Sequence, residues 1–93
     1  MAQNIDAEIK RIFKNKMTGG YSAYFKHKNK CYYADISWTL DCGNECMIFS
    51  ADENENVTDW TDLYCNRNVC ISEDDLMKCI KEFCFILDGK EQD

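Results

Sequence analysis

Seven cysteines, one histidine and a run of carboxylates are the residues of this 93-residue chain that could do chemistry. Two cysteine pairs stand in "CGNEC" and "CNRNVC", with three and four residues between the thiols. Structural zinc takes ligands two to four residues apart, so Cys42, Cys46, Cys65 and Cys70 would furnish four thiolates if they met across a sheet. Cys46 falls in an apolar run, however, and Cys79 and Cys84 fill apolar positions of a helical pattern. With Cys31 they make an odd number, which excludes complete internal pairing. Buried thiols acting as small hydrophobes are the expectation, with no cofactor. A redox pair with two intervening residues is absent.

Other chemistries fare worse. A serine or cysteine nucleophile needs a base beside it, and the one histidine, His27, stands in the lysine-rich "HKNK", which reads as an exposed turn. A carboxylate acting as general acid needs burial to raise its pKa, and the acids here lie among polar neighbours. "TGGY" reads as a helix stop rather than a phosphate loop. "DENENV" puts Asp52, Asn54 and Asn56 at the first three ligand positions of a calcium loop. Val57 then stands where the loop needs glycine and Leu63 where it needs glutamate, so an acidic turn is the better reading. No enzyme is expected.

The charge pattern is more informative. Between Lys30 and Arg67 lie 36 residues without a lysine or arginine, eight of them acidic. Net charge of −6 serves solubility, but mixed charges would serve it as well. Within this stretch "SADENENVTDWTDLY" sets Trp60 and Tyr64, residue types favoured in interface hot spots, among Asp52, Glu53, Glu55, Asp59 and Asp62. A negative field with aromatic anchors steers toward a positively charged cleft, and such clefts commonly hold DNA or RNA.

These seven residues are therefore the candidate partner-binding set of an inhibitor or adaptor. Its partner is expected to be a nucleic-acid-binding protein or nuclease complex, engaged by electrostatic competition in the manner of a nucleic-acid mimic. In size, charge and lack of catalytic motifs the chain is similar in kind to the inhibitors that phages and mobile elements direct against defence nucleases, anti-CRISPR proteins among them. No quotable motif carries that likeness. The alternatives are the cysteine-based zinc or redox module and a structural domain that dimerises through aromatic strand faces, with Tyr24 and Tyr33 opposite the expected core. Lys10, Arg11, Lys14, Lys26, Lys28 and Lys30 could make only a small basic face, so direct nucleic-acid binding is not expected.

Length and composition frame the elements that must position these residues. The chain, 45% hydrophobic and 13% aromatic, reads as one folded domain over residues 1–93. Its start lacks a signal-like apolar run and no stretch suits a membrane span, which predicts a soluble cytoplasmic protein. In "NIDAEIKRIFKNKMTGG", Ile5, Ile9, Ile12, Phe13 and Met17 recur at spacings of three and four and predict a helix, capped by Asn4 and ended at Gly19 or Gly20. From Tyr21 the period is two. "YSAYFK" and "CYYADISWTL" predict a hairpin, with Tyr32, Ala34, Ile36, Trp38 and Leu40 toward the core. "ECMIFSA", apolar on both faces, predicts a central strand, and residues 52–68 an edge strand or ordered loop. Ser72 and Asp75 mark the start of a last helix burying Leu76, Ile80, Phe83, Cys84 and Leu87, with Gly89 as its stop. The expected fold is α+β: an N-terminal helix, an antiparallel meander of three or four strands and a C-terminal helix, both helices on one face of the sheet.

Overall fold

A computed structural model describes residues 7–92 of the chain. Five strands, β1 (Ala7–Lys14), β2 (Tyr21–His27), β3 (Lys30–Thr39), β4 (Gly43–Ala51) and β5 (Val57–Asn66), precede one helix, α1 (Glu73–Gln92). The strands form a single antiparallel sheet in the order β1-β2-β3-β4-β5. An antiparallel meander, β4 in its interior and the last helix are as the sequence predicts, but the meander has five strands rather than three or four and its central strand is β3. The N-terminal helix is not there, and the fold is mostly sheet.

A β-bulge accounts for that correction. Ile9 pairs with Phe25 and the next partnered residue, Arg11, pairs with Tyr24, so Lys10 is left without a cross-strand partner. Beyond the extra residue the alternation resets: Ile12 opposes Ala23 and Phe13 opposes Ser22. Ile9 and Ile12 thus reach the same face of a strand although three apart, a spacing that imitates a helix. β-branched isoleucines suit the strand. Met17, expected on the buried helix face, is 95% exposed in the connection to β2. Ile5 and the Asn4 cap lie outside the described residues.

Between β1 and β2, Asn15 organises the connection: its side-chain oxygen accepts the backbone N–H groups of Met17 and Thr18, and Gly19 takes φ +79°. β2 and β3 join through Lys28 and Asn29 alone, with φ of 50° and 70°, the left-handed pair of a tight turn whose twist suits a hairpin.

α1 covers one face of the sheet. Leu76, Cys79, Ile80, Phe83 and Cys84 pack there on Ala23, Phe25, Tyr32, Ala34, Ile36, Cys46 and Ile48. Phe83 meets Tyr32 edge-on at 5.0 Å between ring centroids. The helix starts as its sequence signal predicts, with the Asp75 N–H donating to Ser72 Oγ at 3.1 Å, and it continues past Gly89 rather than stopping there. Trp38 and Leu40, expected in the core, overrun it and are exposed, because the helix-covered part of β3 ends near Ile36. His27 corrects another expectation. It is buried, and its Nε2 lies 2.8 Å from Asp88 Oδ1 on α1. That hydrogen bond, and next the one from Lys28, hold the Asp88 carboxyl below its ordinary range.

Candidate binding cleft on the open sheet face

Among the described residues no element covers the face away from α1, and its cross-strand register builds it in rows. Tyr24 opposes Tyr33, and Tyr33 opposes Phe49. Phe13 extends the row on β1, 6.3 Å from Tyr24, and Trp60 extends it on β5, 5.1 Å from Phe49 and 6.4 Å from Tyr33. Every strand gives one ring to a continuous aromatic strip. Trp60 reaches it through a misfit in β5: from Ile48 to Ser50 on β4, the partners on β5 run from Tyr64 back to Asp59.

The next row is polar. Ser22 opposes Asp35, and Asp35 opposes Met47; beyond them Ser37 opposes Glu45. Ser22 Oγ donates to Asp35 Oδ1 and Ser37 Oγ to Asp35 Oδ2, each at 2.9 Å. Asn15 Nδ2 donates to Ser22 Oγ at 2.9 Å, and the Ser22 and Tyr33 hydroxyls lie 3.0 Å apart. Both serines are buried, so the Asp35 carboxylate is held from beneath by hydroxyls. Burial is the main cause that raises the Tyr33 hydroxyl above the ordinary tyrosine pKa, with the Asp35 charge adding to it.

Over these rows opens a cleft of about 390 Å³, walled by Tyr33, Phe49 and Trp60 on one side and by Asn15, Met17 and Thr18 of the β1–β2 connection on the other, with Asp35 and Glu45 in its lining. Glu45 is already neutralised, since Arg67 Nε donates to its Oε2 at 3.0 Å. Asp35 has no lysine, arginine or histidine within salt-bridge distance among the described residues.

At the β1 end of the strip an arginine is already in place. The Arg11 guanidinium carbon sits 4.4 Å from the Phe13 ring centre and 5.4 Å from that of Tyr24, and its Nη2 pairs with Glu55 Oε1 at 2.9 Å.

The candidate partner-binding residues fall on β5 and the turn before it, but not on one surface. Trp60 faces the open side and is 69% exposed. Tyr64 faces the helix side, where its ring lies 6.1 Å from Phe83 and its hydroxyl donates to Glu82 Oε1. Desolvation there, and next the Glu82 contact, push its pKa up. Asp52 turns inward to accept the N–H groups of Asn54 and Asn56, each at 2.9 Å, which lowers its pKa. Asp59 similarly accepts the Thr61 N–H. Glu55 is taken by Arg11, and Glu53 lies 3.8 Å from Lys26 Nζ. The stretch without bases in sequence thus meets bases from β1 and β2 in space. Glu53, Asp59 and Asp62 keep exposed side chains.

Sequence reasoning missed Ser22, Asp35, Ser37 and Phe49 as a cleft. The available signal was the alternation that sets Tyr33, Asp35 and Ser37 opposite the core residues of β3.

The cysteines do not assemble. Cys46 lies on the helix side, where its hydrogen bond with Cys79 and then burial raise its pKa and keep it a thiol. Cys65, opposite Met47, lies on the open side and donates to Glu45 Oε2 at 3.4 Å. Among the described residues no three His, Cys, Asp or Glu side chains converge to hold a metal ion. A thiol reagent applied to the native reduced protein is expected to modify Cys65 and Cys70, which are exposed, at once. Cys46, Cys79 and Cys84 should react slower by about three orders of magnitude or more, since they wait on opening of the core. Mass mapping of the first modified peptides checks this, and early labelling of Cys79 would contradict the packing of α1.

No helix among the described residues is long and apolar enough to cross a membrane. Comparison with family models, curated proteins and solved structures finds no match to this chain.

Proposed function

We propose that the protein is a non-enzymatic binding module, an inhibitor or adaptor, that engages the basic surface of a nucleic-acid-handling protein with its β4–β5 hairpin and the adjoining open face. The observation that supports this most is the joining of exposed carboxylates to exposed aromatic surface: Glu53, Asp59 and Asp62 stand in the exposed segment that carries Trp60, and Trp60 forms one wall of the cleft containing Asp35. Arg11 and Lys26, which approach the turn of the hairpin, are engaged by Glu55 and Glu53, and Arg67 is engaged by Glu45. A surface of this kind attracts lysines and arginines arrayed for phosphate and repels nucleic acid itself.

The test is retention of proteins from a bacterial lysate on the immobilised chain at low and high salt, with and without competing duplex DNA. The triple variant Glu53→Gln, Asp59→Asn and Asp62→Asn serves as control. Asparagine at position 59 keeps an oxygen for the Thr61 N–H. Wild type is expected to hold a nucleic-acid-binding protein that salt or DNA displaces, and the variant to hold it about tenfold more weakly. Retention that neither neutralisation nor DNA alters would overturn the proposal.

A further inference from the structure

We infer that the half of the aromatic strip between Tyr33, Phe49 and Trp60, above Asp35, is a socket for an arginine side chain of the partner. The inference rests on the reading of a basic partner just given, and names the group that would enter.

The molecule supplies its own pattern. At the β1 end of the strip a guanidinium lies over Phe13 and Tyr24 and pairs with the Glu55 carboxylate. At the β5 end aromatic rings from β3, β4 and β5 and a carboxylate recur around a cleft of about 390 Å³, and among the described residues no base pairs with that carboxylate.

That carboxylate is built to stay in place. Ser22 and Ser37 each donate one hydroxyl hydrogen to one Asp35 oxygen, which leaves lone pairs on both oxygens for further donors. Its charge is not met by any base among the described residues, whereas Glu45 in the same lining is met by Arg67. A half-buried carboxylate in an aromatic cleft gains most from a cation that can both stack and donate twice.

Guanidinium does this better than ammonium. It is planar, less strongly hydrated, stacks on ring faces and presents a fork of donors to two oxygens. An uncharged apolar ligand would leave Asp35 desolvated without compensation.

The probe is acetyl-Gly-Arg-Gly-amide, titrated into the full chain while the Trp60 indole N–H resonance is followed. Controls are the citrulline peptide, which has nearly the same shape without the charge, and the lysine peptide. The arginine peptide is expected to shift the Trp60 resonance and saturate. The citrulline peptide should bind about tenfold more weakly, as should the arginine peptide to Asp35→Asn. Trp60→Ala, at an exposed position, lacks the reporter indole and is titrated by calorimetry beside wild type, where it gives a second route to the same loss without touching the serine network.

The variant neutralised at Glu53, Asp59 and Asp62 should bind the peptide within about twofold of wild type, since the socket carboxylate is intact. Equal binding of arginine and citrulline peptides, or of arginine and lysine peptides, or an Asp35→Asn variant that binds as wild type, would each overturn the socket. Lysate capture sensitive to hairpin neutralisation would then still uphold the basic-partner reading. Conversely, Asp35-dependent binding of the arginine peptide upholds the socket even where lysate capture fails, so the two failures are distinguishable.

Discussion

Replacing Gly20 with alanine should cost the fold about 3 kcal/mol or more. A Cβ at this position would stand 1.9 Å from the Ile36 carbonyl oxygen, with the Ile36 carbonyl carbon and Ser37 Cα at 2.9 Å. All three are backbone atoms of β3, the central strand, so no side-chain rotation relieves the clash. β2 would have to start farther from β3, disturbing the pairing of Tyr21 with Ile36. The Asn15 connection that walls the cleft would shift with it. Gly89 is the internal control, because a Cβ there meets nothing within 4 Å. In α1, Gly89→Ala should stabilise by about 0.5–1 kcal/mol. Urea unfolding of the two variants beside wild type measures both. A Gly20→Ala cost below about 1 kcal/mol would contradict so close an approach of the two strands.

The second large effect is expected at Phe83. Its ring is 2% exposed and meets three others, Tyr32 at 5.0 Å, Tyr64 at 6.1 Å and Phe25 at 6.2 Å. It is the aromatic residue by which α1 engages the covered face. Truncation to alanine loses the transfer energy of the ring and leaves a cavity that the rigid sheet cannot close, about 3–5 kcal/mol together. Since domains of this size are stable by about 5–15 kcal/mol, Phe83→Ala should lie near the edge of folding at room temperature. Phe85, two residues on and 64% exposed, should tolerate the same change within about 0.5 kcal/mol. The midpoints of thermal unfolding followed by circular dichroism decide between them. Comparable losses at both positions would mean that α1 docks by a different face.

How far the sequence discloses this molecule depends on whether period and pairing agree. β3 is readable because alternation runs through it without interruption, β4 because it is a short run apolar on both faces, and α1 because Ser72 and Asp75 mark its start in the chain itself. β1 is not, because one extra residue at Lys10 turns a period of two into an apparent spacing of three between Ile9 and Ile12. β5 is the edge strand that residues 52–68 suggest, but the same cause hides its facing, since the misfit between Ile48 and Ser50 lets Trp60 face one side of the sheet and Tyr64 the other.

The site was legible only in part. Tyr24 and Tyr33 stand out as aromatics on the non-core alternation, yet the cleft draws its lining from β3, β4, β5 and the β1–β2 connection. Which residues stand opposite Asp35 is a matter of register, which no local pattern states. His27 shows the same limit. Its neighbours in sequence are lysines and asparagine, whereas its hydrogen-bond partner Asp88 lies 61 positions away.

The bulge at Lys10 and the misfit of β5 have one more effect together. β1 and β5 are the outermost strands, whose outward N–H and C=O groups would template a further strand from another molecule. Each is broken along its length, β1 by an unpartnered lysine and β5 by a break in register at the segment bearing Asp59 and Asp62. Neither margin offers the straight ladder that fibril growth requires. A chain rich in aromatic residues and thiols thereby carries, at both ends of its sheet, a barrier to polymerising on itself.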